Sequence, residues 1–298
     1  MSDALRIEPM DPDSLEAARA VLRDGCAFDE AAAVANEKLI TPGPQGPVLT
    51  WLAWIDDAVV GVVAVSARWL RVLAVRPEVR QRGIGAALLA VAEDFFRAED
   101  VTRARALDQP GNYLAPGVDA RNKATIAWLE RRGWVRAAEP VTNLLIDVRT
   151  NPRVSAARAH ELAEALRDRG YEIRRATRED REALLAAVAT EFGGAWPWEL
   201  DAALTAPGGV FVASKDDAIA GFAAHDGNNR GLGWFGPAGT WPAHRGQGVG
   251  EALLMACLVE VARAHEICEV AWIGPRNFYD RVAGIAGERQ FWPMTRSL

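Results

Sequence analysis

Apolar residues along this chain of 298 residues follow strand and helix periods that alternate in one order, and that order occurs twice. Short apolar runs bounded by turn residues predict strands at residues 48–55, 59–67 and 69–75, and again at 210–214, 218–225 and 233–237. Longer segments with helical spacing predict helices at 83–98 and 248–265 and shorter ones at 122–132 and from Phe278. The remaining predicted strands are 5–8, 103–107, 143–148, 172–174, 269–273 and 290–294.

One loop sequence is repeated. VRPEVRQRGIGAALL from Val75 recurs as TWPAHRGQGVGEALL from Thr240, with each matched position 165 residues further on. Two further pairs agree: IEPMDPDSLEA with IRRATREDREA, and DAVVGVVA with DAIAGFAA. The repeat predicts two domains, 1–150 and 171–298. Residues 155–170 have alternating charges and no internal glycine or proline, so they predict a connecting helix within 151–170.

The repeated loop contains Arg-x-x-Gly-x-Gly followed by Ala-Leu-Leu. Glycines let main-chain N–H groups approach an anion, the helix that follows adds the positive end of its dipole, and arginine adds charged donors. This chemistry predicts a pyrophosphate site in each half. Neither loop has the G-x-G-x-x-G/A of a dinucleotide fold in the first strand-helix turn, and GxxxxGK[ST] is absent. Tight helix entries alone would explain the glycines but not the repeated arginine.

The pattern V-x-P-x-x-R-x-x-G-x-G-x-A-L-L resembles the acetyl-CoA loop of the GNAT acyltransferases, and two copies resemble the tandem branch that acetylates aminosugars. The resemblance implies an α/β (α+β) fold of two tandem domains, each a mixed, splayed sheet flanked by helices. It also implies acetyl-CoA as cofactor. The residues implied to hold it in the first domain are Leu73, Ala74, Val75, Arg80, Gln81, Arg82, Gly83, Ile84, Gly85 and Ala86. Those in the second are Pro237, Ala238, Gly239, Thr240, Arg245, Gly246, Gln247, Gly248, Val249, Gly250, Glu251, Asn277 and Tyr279.

The two domains differ where the family often carries a tyrosine as general acid. The first has Asn122 and then Leu129 in the tyrosine position, and leucine cannot donate a proton. The second reads GPRNFYDRVAG from Gly274, which places Tyr279 in that position. We expect Tyr279 to protonate the departing thiolate and the C-terminal domain to be catalytic, although Tyr279 could instead simply pack against the sheet.

An attacking amine must lose a proton, so the second domain needs a base. The candidates are Glu191, Asp226 and His225, and each of them could instead be a structural or solvent-exposed residue. Trp196 and Trp198 on the segment that covers the acceptor in GNATs favour an aminosugar or aminoglycoside-like amine. The first domain has an additional segment, ALDQPGNYLAPGVDARN from Ala106, which either walls a neighbouring site or is a surface loop.

Composition limits the partners. A net charge of −6 argues against nucleic acid, and with no apolar run of 18 residues and an acidic N-terminus we expect a cytoplasmic protein without membrane contact. The three cysteines and four histidines show no disulfide or metal-ligand spacing, so no metal is expected. A monomer or homodimer is expected. Three alternatives remain open: a non-catalytic acyl-CoA sensor, acetylation of a protein amine, and catalysis by the N-terminal domain.

Overall fold

The computed structural model describes residues 5–298, which form two compact units. Unit 1 comprises the chain up to Val141 together with Gln290–Leu298, and unit 2 is Thr142–Arg289. The strands are β1 (Leu5–Pro9), β2 (Leu49–Ile55), β3 (Ala58–Ser66), β4 (Trp69–Val75), β5 (Arg103–Ala106), β6 (Val118–Asp119), β7 (Val135–Arg136), β8 (Val141–Asp147), β9 (Tyr171–Arg175), β10 (Gly209–Lys215), β11 (Ala218–His225), β12 (Trp234–Thr240), β13 (Ile267–Val270), β14 (Gly287–Trp292) and β15 (Met294–Ser297). The helices are α1 (Leu15–Gly25), α2 (Ala35–Leu39), α3 (Ile84–Ala98), α4 (Lys123–Glu130), α5 (Ala156–Arg167), α6 (Arg181–Glu191), α7 (Trp196–Ala203), α8 (Val249–Val261) and α9 (Arg276–Val282).

The sheet of unit 1 has the order β1-β2-β3-β4-β5-β15-β7. Its neighbours are antiparallel except β4 and β5, which run parallel and pair only at Trp69 with Arg105 and Leu70 with Ala106. Beyond Leu70 the two strands separate, so the sheet opens along the second half of β4. The apolar face of α3 packs on the sheet, with Leu88, Ala92 and Phe96 fully buried in the core.

Unit 2 repeats this arrangement, with strands in the order β8-β13-β12-β11-β10-β9. Here β12 and β13 are the parallel pair, joined at Trp234 with Glu269 and Phe235 with Val270. Helix α8 packs on one face with α5, and α6 and α7 form a separate apolar cluster with β10 and β11. The expected mixed, splayed sheets are therefore present in both units.

The last strand of each repeat lies in the other unit. The strand expected at 143–148 to complete the first domain is β8, which ends at Asp147 and pairs with β13 from Asp147 opposite Ile267 to Leu144 opposite Val270. Strand β15 in turn pairs with β5, with Met294 opposite Ala106. Buried side chains fix these pairings. Leu144 and Ile146 are fully buried in the core of unit 2, and Met294 is fully buried in the core of unit 1. The domain boundaries expected at residues 150 and 171 therefore differ from those of the two compact units, because the last strand of each sequence repeat belongs to the unit formed by the other repeat.

Three other segments differ from or refine the expectation. The predicted strand at 290–294 is two strands, β14 and β15, which Pro293 separates because proline cannot donate a ladder hydrogen bond. The expected connecting helix is α5, and its Leu166 lies in the core of unit 2. The additional segment of the first repeat is buried from Gly111 to Asp119, so it is not a plain surface loop. Among residues 5–298, no helix is both long and apolar enough to cross a bilayer.

Candidate active site and coenzyme loops

The two glycine loops have one conformation. In unit 1 a short turn, Pro77–Val79, follows β4, and α3 begins after Gly83, whose φ is +84°. In unit 2 the turn Pro242–His244 follows β12, and α8 begins after Gly248, whose φ is +88°. Glycine tolerates this left-handed conformation. No atom lies within 4 Å of a Cβ built on Gly83, whereas a Cβ on Gly248 would lie 3.7 Å from Arg169 Nη2, in ordinary contact. The start of α3 is therefore open, and the start of α8 has one arginine side chain beside it.

The first turns of α3 and α8 present main-chain donors that no helical acceptor uses. The first intrahelical bonds run from Ala87 N–H to Gly83 O, 3.0 Å, and from Ala252 N–H to Gly248 O, 3.1 Å. Neither N-cap glycine has a side chain to cap the turn. The preceding N–H groups are those of Ile84, Gly85 and Ala86 in unit 1 and of Val249, Gly250 and Glu251 in unit 2. This donor set, at the positive end of a helix, fits a diphosphate.

The repeated arginine closes the loop. Arg80 Nε donates to the main-chain oxygen of Val75, 3.0 Å, and Arg245 Nε donates to that of Thr240, also 3.0 Å. Arg80 Nη2 also donates to Gly25 O, 2.9 Å. Both guanidinium groups are thus tied to main-chain carbonyls at the strand end. The repeated arginine therefore has a structural contact in each loop, in addition to any charge that it brings to an anion.

Sequence reasoning missed the contribution of the α5 region to the loop of unit 2. Arg158 pairs with Glu251 at 2.9 Å, and Arg169 donates to the main-chain oxygen of Gln247. Gln247 stands where unit 1 has the exposed Arg82. The alternating charges of residues 155–170 were the available signal, but they did not indicate which surface the helix would cover.

The strand beside each opening offers main-chain groups. Arg76 N–H donates to Val60 O and Trp241 N–H to Ala220 O, so these residues face the neighbouring antiparallel strand. Because strand residues alternate in direction, the N–H groups of Val75 and Thr240 face the opening. Pro237 has no N–H, so it can offer only its carbonyl.

Tyr279 lies where β12 and β13 part. Its ring centroid is 6.2 Å from that of Phe235, the last residue of β12 that pairs with β13, and 5.1 Å from that of Phe278. Burial, with a smaller contribution from the Cys268 thiol on β13, raises the pKa of Tyr279 to about 12. The phenol is therefore protonated at neutral pH. Asn277 lies exposed on the first turn of the same helix, α9.

Leu129 occupies the matching place in unit 1. A Cβ built on Gly85 would lie 3.5 Å from Trp128 Cζ2, and one on Gly250 would lie 3.7 Å from Phe278 Cζ. The next residue along the chain is Leu129 in unit 1 and Tyr279 in unit 2. Leu129 is 3% exposed in the apolar core, so unit 1 has no proton donor at this place.

Two of the three expected bases are engaged in structure. Asp226 Oδ1 accepts the N–H groups of Gly231 and Gly233, both at 2.9 Å, and its Oδ2 lies 2.9 Å from His225 Nδ1. His225 Nε2 is 3.7 Å from Oε1 of Glu260 on α8. These contacts hold both side chains at the β11–β12 turn, while the buried His225 Nε2 has no hydrogen-bond partner, and the expected role of either residue as base stays a prediction.

Glu191 remains as a candidate base. It is exposed at the last residue of α6, and Phe192 directly after it packs over Gly239 of β12, since a Cβ there would lie 2.5 Å from Phe192 Cζ. Trp196 stacks on Phe192 with centroids 5.1 Å apart, whereas Trp198 is 42% exposed. Of the two tryptophans expected at the acceptor, Trp198 is the more exposed. Among residues 5–298, no cluster of three metal-ligating side chains occurs.

A parallel strand pair that parts above a glycine loop, once in each unit, defines the architecture of an acyltransferase. A model of the acetyltransferase (GNAT) family matches residues 24–134 and 161–284. The chain belongs to the GNAT family and is an N-acyltransferase, with two GNAT repeats in tandem. No curated protein matches the sequence.

Solved structures share the fold at low identity. The chain is similar to a GCN5-related glucosamine N-acetyltransferase region in a fungal multidomain GH3 β-N-acetylglucosaminidase, with TM-score 0.75 and 17% identity, over 99% of this chain but only 38% of that one. A tandem GNAT protein from the clavulanic acid biosynthesis pathway gives TM-score 0.70 and 18% identity, over 99% of this chain and 98% of that one. A GCN5-related N-acetyltransferase from Sphaerobacter thermophilus gives 0.63 and 15%, over 100% and 96%.

Proposed function

We propose that the chain transfers an acetyl group from acetyl-CoA to a primary amine of a small molecule, and that unit 2 performs the transfer. The position of Tyr279 carries this assignment. A phenol stands at the parting of β12 and β13, while the matching place in unit 1 holds leucine.

The coenzyme would be held by main-chain groups of unit 2. The N–H groups of Val249, Gly250 and Glu251 would bind its diphosphate, and the open edge of β12 at Ala238 and Thr240 would pair with its amide arm. When bound, acetyl-CoA supplies the acetyl group as a thioester. Arg245 keeps the loop in the conformation that presents these donors, through its bond to Thr240.

Tyr279 would hold the proton that a departing thiolate needs. With a pKa of about 12, the phenol stays protonated throughout the neutral pH range. Glu191, at the end of α6 beside the aromatic residues that cover β12, is the candidate to take the proton of the amine. An exposed carboxylate at this place can also attract a cationic acceptor.

An aminosugar or aminoglycoside-like amine is the proposed acceptor class. The exposed ring of Trp198 offers a face on which a sugar can stack. The glucosamine N-acetyltransferase region, which has this fold, supports the same class by analogy.

The test is release of free CoA thiol from acetyl-CoA by the full chain, with glucosamine, a linear diamine and a peptide bearing a free α-amine as acceptors. Turnover highest with glucosamine supports the proposal. Turnover highest with the peptide would replace the acceptor class, and thiol release with none of the amines would overturn the proposed reaction.

A further inference from the structure

Arg71 is a buried cation at the point where the sheet of unit 1 opens. It is the additional residue of a β-bulge, because Val65 pairs with Leu70 and Ala64 with Val72. It also directly follows Leu70, the last residue of β4 paired with β5. The residue is 2% exposed. A buried charged residue therefore lies on β4 of unit 1, next to the point where β4 and β5 stop pairing.

The guanidinium of Arg71 lacks acceptors. Nη2 donates to the main-chain oxygen of Glu37, 3.2 Å, while Nε and Nη1 have no hydrogen-bond partner. No ion pair joins Arg71 to a carboxylate anywhere in residues 5–298. Burial lowers the pKa of Arg71 to about 10, and the Glu37 carboxylate opposes that shift, so the group is still charged at neutral pH. Buried charged donors without acceptors are costly, so each one calls for an explanation, and a ligand that supplies the acceptor is one such explanation.

The matching position in unit 2 provides an internal comparison. Gly236 follows Phe235, the last residue of β12 that pairs with β13, and lies in the irregular stretch between Phe235 and Ala238. Its φ is +127°, and no atom lies within 4 Å of a Cβ built there. Unit 2 thus leaves open space at the place where unit 1 puts a cation. The two repeats differ here as well as at Leu129 and Tyr279.

The segment particular to the first repeat reaches the same place. Asn112 Nδ2 donates to Glu37 O, 3.2 Å, the oxygen that also accepts from Arg71. Gln109, three residues earlier and 0% exposed, has an Oε1 atom without a hydrogen-bond partner. Unit 1 therefore has both unused donors and an unused acceptor in its buried polar groups.

We propose that unit 1 is a binding site for a carboxylate group, which Arg71 recognises through Nε and Nη1. A carboxylate is the acceptor that matches paired guanidinium N–H groups. Its source is either the far end of a dicarboxylic acyl chain on coenzyme A or a free carboxylic acid. The first source rests on the proposed coenzyme binding by the loop of unit 1; the second does not.

Calorimetry on the full chain carrying Gly248→Glu, which disables the loop of unit 2, separates the sources. In the first arm succinyl-CoA is compared with butyryl-CoA, which has the same chain length without the carboxylate. In the second arm succinate is compared with succinamide. A charge-assisted hydrogen bond in a buried site is strong. In one of the two arms we therefore expect the ligand that carries the carboxylate to bind at least about tenfold more tightly than the ligand that lacks it.

Arg71→Met should abolish that preference, while leaving the binding of CoA itself unchanged. If the two ligands of each arm bind equally while CoA still binds, the carboxylate site is overturned and the proposed reaction is not affected. If the wild-type chain does not bind CoA at all, the proposed reaction is overturned. If Arg71→Met does not fold, wild-type crystals soaked with succinyl-CoA or succinate decide. A carboxylate within hydrogen-bond distance of Nε or Nη1 supports the proposal, and ordered water alone overturns it.

Discussion

Arg245 Nε lies 3.0 Å from the main-chain oxygen of Thr240, and this bond fixes the distance between the end of β12 and the start of α8. Arg80 and Val75 form the same bond at the same length in unit 1. Each arginine side chain thus reaches back to the main chain five residues earlier, at the end of the strand. We call this hydrogen bond the clasp of the loop. The free first-turn N–H groups of the helix are consequently held in place before any anion binds.

Arg245→Met removes this clasp without adding charge. We expect the Kd and KM for acetyl-CoA to rise by about tenfold, since a charged hydrogen bond is lost and the loop loses its preferred conformation. Arg80→Met is the matched control in unit 1 and should leave turnover unchanged. Calorimetry and thiol-release kinetics measure both effects. If Arg245→Met and Arg80→Met affect turnover equally, unit 2 is not the only catalytic unit.

Gly248→Glu should abolish turnover. It places a carboxylate where the diphosphate is expected and forces a side chain into φ +88°. Gly248→Asn separates the two effects, because asparagine tolerates the left-handed conformation and carries no charge. We expect Asn to weaken coenzyme binding far less than Glu. Gly83→Glu, the counterpart in unit 1, should remove one of two binding events in calorimetry and preserve turnover; loss of turnover with Gly83→Glu alone would move the chemistry to unit 1.

Tyr279→Phe should lower kcat by about 100-fold or more and leave the KM for acetyl-CoA unchanged, because only the proton donor is lost. The ring contacts with Phe235 and Phe278 persist, so the melting temperature should not change. With a pKa raised to about 12, the wild-type phenol stays protonated to beyond pH 10, and kcat should not fall with Tyr279 ionisation below that pH. Tyr171→Phe, which removes a phenol that contacts His244, is the control. Full activity in Tyr279→Phe would return this residue to a packing role.

The sequence predicted the parts of the fold that local pattern determines. The glycine loops, the strand Trp69–Val75 and the helix after each loop lie where apolar period and turn residues place them. It did not predict the exchange of β8 and β15, because a repeat shows what was duplicated and not which core buries Leu144 or Met294. Arg71 was overlooked for a related reason. A single arginine inside an apolar strand has no motif, and its missing acceptors exist only in three dimensions.

Asp226 and Glu191 should respond differently to removal of their charge. Asp226→Ala leaves two buried main-chain N–H groups, those of Gly231 and Gly233, without acceptors, so we expect a loss of about 2 kcal/mol or more in the free energy of unfolding. Glu191→Gln lies on an exposed helix end and should not change stability. It should instead lower kcat, measured with saturating amine. An unchanged kcat in Glu191→Gln would exclude it as the base.

Asp180 provides a pH-dependent test of the stability of unit 2. Hydrogen bonds from Arg174, at 2.7 and 2.6 Å, and from Thr177 hold the pKa of this carboxyl well below its usual value. Because the pKa is lowered by folding, the carboxylate contributes stability that is fully present above the pKa of an unfolded aspartate, about 3.9. This stability is lost as pH falls toward the folded pKa.

Asp180→Asn should therefore reduce the free energy of unfolding by about 1 kcal/mol at pH 7, and the difference from wild type should shrink below about pH 4. Asp201→Asn is the matched control, because the pair of Asp201 with Arg181 is 2.6 Å long but exposed, and such pairs contribute little. Urea denaturation of both variants across the pH range gives the two curves. A difference at pH 7 that persists unchanged at pH 3 would mean that packing or the cap, and not the charge of Asp180, stabilises this turn.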